Sequence, residues 1–123
     1  MIIHYCDPAL TSRTGHHYQW AISYLDALKR SYDVEVHTWI GKDATPECVA
    51  ALQAFGPVNL HFSLRPYSVR RFLLKDPVGG SLQFFMEGSQ LLASELRRMP
   101  AADLTFWITL FPYQLHAMAT AGT

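Results

Sequence analysis

The chain opens Met1-Ile-Ile-His-Tyr-Cys6, is stopped by Asp7-Pro8, and resumes after a polar connection with Thr14-Gly15-His16-His17. The first run is apolar and of strand length; the second begins a helix that reaches about Tyr32 on apolar spacing. A strand that ends in a glycine-bearing loop at a helix start is where α/β proteins receive ligands. The first helical N–H groups have no intrahelical partner, and the helix dipole adds about half a positive charge there, so a phosphate or carboxylate is well received.

Working outward, Trp20, Ala21, Tyr24, Leu25 and Leu28 recur at three- and four-residue spacings and predict one apolar stripe that lies on a sheet. Lys29-Arg30 suits the negative end of that helix. Asp33 to Ile40 alternates Val34, Val36, Thr38 and Ile40 against Glu35, His37 and Trp39, a second strand. Thr45-Pro46 starts a second helix with a capping hydroxyl and a proline at the first helical position, with Val49, Leu52 and Phe55 on its buried face. Gly56-Pro57 closes it, and Val58 to Leu64 is a third strand.

From Arg65 to Gly80 the pattern weakens to a loop with a short helix, bracketed by Pro66, Pro77 and Gly79-Gly80. From Ser81, a long third helix keeps Leu82, Phe85, Ser89, Leu92, Leu96 and Met99 on one face until Pro100. Asp103 to Ile108 is a fourth strand, apolar enough in its second half to be covered on both faces. Pro112 to Ala119 opens a fourth helix. This alternation predicts one α/β domain over residues 1–123, a parallel sheet of order 3-2-1-4 with helices on both faces. Strands 1 and 4 are then neighbours whose connections leave in opposite directions. A crevice opens at their carboxyl ends, between Asp7 to His17 and Thr109 to Tyr113.

Composition narrows the function classes. Ten basic and ten acidic residues cancel, so no net field draws the chain to nucleic acid. Arg65, Arg70, Arg71 and Lys75 make a local basic cluster that reads as a solvated face. Cys6 and Cys48 are too few for a disulfide framework or zinc site and pack as small apolar residues. No signal peptide or spanning segment is legible, and a cytoplasmic setting is the expectation, at most peripheral to a membrane. Charged residues are only 16% of the 123, against about 25% in an average domain. Such a chain is short of surface, as a truncated piece of something larger is.

Among chemistry-bearing residues, adjacent helical positions point about 100° apart, so His16 and His17 do not share a metal, and at most one faces the crevice. Neither G-x-G-x-x-G nor G-x-x-x-x-G-K-[ST] is present, which argues against a dinucleotide domain or a P-loop enzyme. Asp7 stands at the tip of the first strand without the second carboxylate that a magnesium-dependent phosphotransfer site needs. No metal or cofactor is expected. Gly79-Gly80 reads as a linker turn before an alternative anion site.

Cys6-Asp-Pro-Ala-Leu10, Thr14-Gly-His-His-Tyr18, Leu28-Lys-Arg30 and Val34-Glu-Val-His37, with Ala102 to Thr109 and Pro112-Tyr-Gln-Leu115, resemble the N-terminal half of bacterial GT-B-fold glycosyltransferases of the family 4 type. The resemblance implies a Rossmann-like three-layer α/β/α domain on the acceptor side of an enzyme that moves a sugar from a nucleotide-sugar to a sugar or lipid-linked acceptor. On it, Asp7, Thr14, Gly15, His16, His17, Thr109 and Tyr113 become substrate-binding candidates. Gly15 matches the family's loop glycine, His16 or His17 donates to the leaving diphosphate, and Thr109 and Tyr113 face the acceptor. Nothing matches the donor-binding half with its paired glutamates, so the chain alone is expected to be inactive. A stand-alone flavodoxin-like interaction module, or a homo-oligomer, pairing through an exposed sheet edge is the alternative.

Overall fold

The structure, a computed structural model, describes residues 1–62, 77–108 and 112–122. In chain order the elements are β1 (Ile2–Asp7), α1 (His16–Ser31), β2 (Glu35–Gly41), α2 (Pro46–Leu52), β3 (Val58–Phe62), α3 (Pro77–Arg98), β4 (Leu104–Trp107) and α4 (Pro112–Ala121). The four strands are parallel and lie in the order β3-β2-β1-β4, as the sequence predicts. β1 pairs from Ile2 with Glu35 to Asp7 with Ile40 on one side, and from Ile3 with Leu104 to Cys6 with Trp107 on the other.

Strand alternation divides the interior into two layers. Ile3 and Tyr5 of β1 and Val36 and Ile40 of β2 face α1 and α2, where they meet Ala21, Leu25, Cys48 and Leu52. Cys6 and Trp39 point the other way, onto Leu92, Ala93 and Leu96 of α3 and Ala117 of α4. Leu25 and Leu52 have no exposed surface, and each such side chain contributes about 1.5–3 kcal/mol relative to staying in water. The capping expected at α2 is present: Thr45 Oγ1 accepts the Cys48 N–H at 3.2 Å, with Pro46 in the first helical turn. Both cysteines are free and buried.

Several expectations need correction. Trp20 and Tyr24 are 43% and 53% exposed, so the stripe of α1 that reaches the sheet is narrower than its apolar spacing suggests. α3 begins at Pro77, which puts Gly79-Gly80 inside its first turns rather than in a linker. Leu82 of α3 is exposed, whereas Ser89, Leu92 and Leu96 are buried. β4 is not covered on both faces. It is the outermost strand among the described residues, and Leu104 and Phe106 remain 45% and 40% exposed. The basic cluster at Arg65, Arg70, Arg71 and Lys75 lies outside the described residues. No helix among the described residues is long and apolar enough to cross a membrane.

Candidate functional site

The candidate site lies where β1 hands over to α1. Asp7 is the last residue of β1 and belongs to the same row as Ile3 and Tyr5, so its side chain is directed at the layer that holds α1. Two contacts fix it there. Oδ1 accepts the Ala9 N–H at 3.1 Å, which turns the chain out of the sheet, and Oδ2 lies 2.8 Å from His17 Nδ1. The carboxylate has no exposed surface and the imidazole is 20% exposed.

Burial pushes the Asp7 carboxyl above the usual carboxylate range; the His17 hydrogen bond and charge, then the Ala9 and Leu10 N–H groups, pull it back. An ionised carboxylate only accepts, so with Asp7 ionised the proton of the pair sits on His17 Nδ1 and Nε2 is the free nitrogen. Asp7 thus sets both the angle and the tautomer of the ring.

The His16 and His17 rings lie against each other, centroids 4.6 Å apart, but only one of them reaches Asp7. His17 turns inward to Asp7, while His16 is exposed and stands edge-on to Trp20 with ring centroids 4.6 Å apart. The choice between them is written in the spacing of α1. His17, Ala21 and Leu25 follow one another at intervals of four, so the ring heads the buried stripe and His16 does not. What the sequence reading missed is the pairing of Asp7 with His17. The strand parity of residues 3, 5 and 7 together with the helical parity of residues 17, 21 and 25 is the signal that contains it.

Gly15 caps α1 without a side chain, at φ 90° and ψ 178°, a region open in practice only to glycine. A Cβ there would meet nothing within 4 Å, so the glycine serves the backbone angle and leaves open space before the helix start. Thr14 is exposed, its Oγ1 2.9 Å from Ser12 Oγ. The loop is tied to the start of α2 by the Thr45 N–H donating to Thr11 O at 2.7 Å.

β4 ends at the same edge of the sheet: the Ile108 N–H donates to Cys6 O at 3.0 Å, one residue before Asp7. The β1 tip and the β4 tip are therefore adjacent. Thr109 lies outside the described residues, as does the side chain of Tyr113, whose backbone is in the first turn of α4. No group of three or more His, Cys, Asp or Glu able to hold a metal occurs among the described residues. The site offers a hydrogen-bonding imidazole with a buried counter-charge, at the positive end of a helix. It suits an anionic group and the transfer of a proton or of negative charge to it. No protein-family model, curated protein or solved structure matches this chain.

Proposed function

We propose that this chain is the acceptor-side Rossmann-like part of a GT-B glycosyltransferase that uses a nucleotide-sugar donor and a sugar or lipid-linked acceptor. The observation that carries the reading is the Asp7–His17 pair at 2.8 Å, at the β1 tip and in the first turn of the helix that Gly15 opens. In its protonated form His17 donates from Nε2 to a diphosphate oxygen, with the buried Asp7 charge behind it. Negative charge that grows on the departing diphosphate is met by donors already in place, which is how such groups lower a barrier. The β4 tip beside this place forms the acceptor wall. Donor-base recognition belongs to a second domain, and without that half the reacting groups are not held in register.

The test is a titration of the chain with inorganic pyrophosphate and with UDP-glucose, following the imidazole nitrogens by NMR. The expected result is weak, salt-sensitive binding of both ligands at His17, lost in His17→Asn. Pyrophosphate that leaves the His17 ring unperturbed, or tight binding selective for the uracil base, contradicts the reading. The second reading, a stand-alone interaction module, is favoured by a different observation, the β4 edge that no strand among the described residues covers.

A further inference from the structure

On the face of the sheet away from Asp7 and His17, β1 carries His4 into the layer that Cys6 shares with α3 and α4. The residue is 2% exposed. Its ring lies against those of His37 and Trp39, with centroids 5.6 and 5.1 Å away, and makes no hydrogen bond among the described residues. His37 is turned to another partner, its Nε2 held 2.6 Å from Glu35 Oε1. Buried polar groups are nearly always paired, so an enclosed imidazole with both nitrogens unused requires an explanation. The surroundings supply one. His4 borders a cavity of about 370 Å³ walled by Leu96, Met99, Trp107 and Met118 and by the connection from Pro100 to Ala102. Thr105, the β4 neighbour of His4, adds a hydroxyl to the same wall. No charged side chain borders the cavity among the described residues.

We infer that this cavity is a binding site for a small neutral aromatic molecule that carries a hydroxyl group, with His4 recognising the hydroxyl. Ligand pockets are ordinarily apolar clefts of roughly 300–1,000 Å³ in which a few placed polar groups set orientation, and this one has that make-up at the small end of the range. An aromatic ring suits the walls. The thioethers of Met99 and Met118 make favourable contacts with ring edges, and the Trp107 indole offers a further aromatic surface. A hydroxyl suits the imidazole. Burial, then the His37 charge, keeps the His4 pKa below the usual histidine value, so at neutral pH the ring is uncharged, with one nitrogen accepting and the other donating. A phenolic O–H satisfies the acceptor. An anion is disfavoured, because an uncharged ring gives it no counter-charge and the apolar walls strip its water. The cavity shares no residue with the proposed sugar-transfer site and is independent of that reading.

Phenol and toluene have the same ring and nearly the same size and differ in the hydroxyl, while His4→Phe keeps a ring of similar shape and removes both nitrogens. Titrations at pH 7.5 followed by NMR of the methionine methyl groups should show phenol binding with a dissociation constant of about 1 mM, as a ligand of this size allows. The shifts should fall on Met99 and Met118 and spare Met1 and Met86, which are exposed elsewhere. The ratio of phenol to toluene affinity should drop about 10-fold in His4→Phe, because the variant removes the partner of the hydroxyl and keeps the apolar contacts of both ligands. In the wild-type chain alone, benzoate should bind at least about 10-fold more weakly than phenol. Phenol that leaves Met99 and Met118 unperturbed, a phenol-to-toluene ratio unchanged in His4→Phe, or benzoate that binds as well as phenol overturns the inference.

Discussion

Replacing His17 with alanine strands a buried charge. Asp7 has no exposed surface, and the substitution leaves its carboxylate with the Ala9 N–H at 3.1 Å and no counter-charge. Leaving a buried carboxylate without its hydrogen-bond donor costs more than the roughly 1–3 kcal/mol of a neutral group; because the His17 ring is 20% exposed and water can follow its removal, about 2–3 kcal/mol is expected at pH 8. The sign with pH follows from the direction of the Asp7 shift. Burial raises its folded pKa and His17 lowers it, so without His17 the folded value rises further above the unfolded one. A carboxyl raised in the folded state contributes stability that is fully present below its unfolded pKa, about 3.9, and is lost as pH rises through the folded value. The His17→Ala deficit relative to wild type should therefore shrink towards pH 5, to about 1 kcal/mol or less. Urea unfolding of both proteins at the two pH values, followed by circular dichroism, measures it. A domain of ordinary stability, about 5–15 kcal/mol, remains folded throughout. Groups outside the pair titrate alike in both proteins and cancel in the difference. Equal deficits at pH 5 and pH 8, or none at pH 8, refute the assignment of Asp7 and His17 as a buried hydrogen-bonded pair.

On the opposite face of the sheet His4 is 2% exposed, and burial, then the nearby His37 charge, hold its pKa below the usual histidine value. Its contribution is present above about pH 6.5 and lost as pH falls through the folded value, so urea midpoints of His4→Leu should fall less between pH 7.5 and pH 5 than those of wild type. Gly41→Ala would place a Cβ 2.9 Å from the Pro8 carbonyl oxygen. It should cost about 1–3 kcal/mol through overpacking, and Gly15→Ala a similar amount through backbone strain alone, both read from urea unfolding. Only the second should disturb the His17 resonances as its main effect. Thr45→Ala should lose about 1 kcal/mol as the α2 cap disappears, with Thr45→Ser recovering most of it.

Sheet order was legible because it follows from local patterns that tertiary structure had no reason to override. The parity of Val36 and Ile40, the Thr45-Pro46 start and the Pro100 stop each carry their meaning within a few residues. Coverage was less legible. The apolar run at Leu104 to Trp107 looks identical in a strand flanked on both sides and in one at an edge, because the pattern records side-chain type and not what arrives from elsewhere. Trp20 and Tyr24 misled for a related reason: aromatic residues at helical spacing indicate a face, and α1 presents more of it than the four-stranded sheet reaches. Gly79-Gly80 carried turn chemistry that the helix from Pro77 overrides. Of the site, Asp7 and His17 were each recognised. Their contact joins a period of two to a period of four, and neither period alone displays it.

Asp7 has one further consequence. Its two oxygens hold different things, the Ala9 amide on one and the His17 ring on the other, so a single side chain both bends the chain and aims the imidazole. Selection acting on either task constrains the other, and most substitutions at this position damage both at once. Asparagine is the informative exception. Its oxygen can still receive Ala9, but its NH₂ then confronts His17 Nδ1 and forces that nitrogen to become the acceptor. The bend survives while the ring is rewired, which gives geneticist and enzymologist alike a separation-of-function allele.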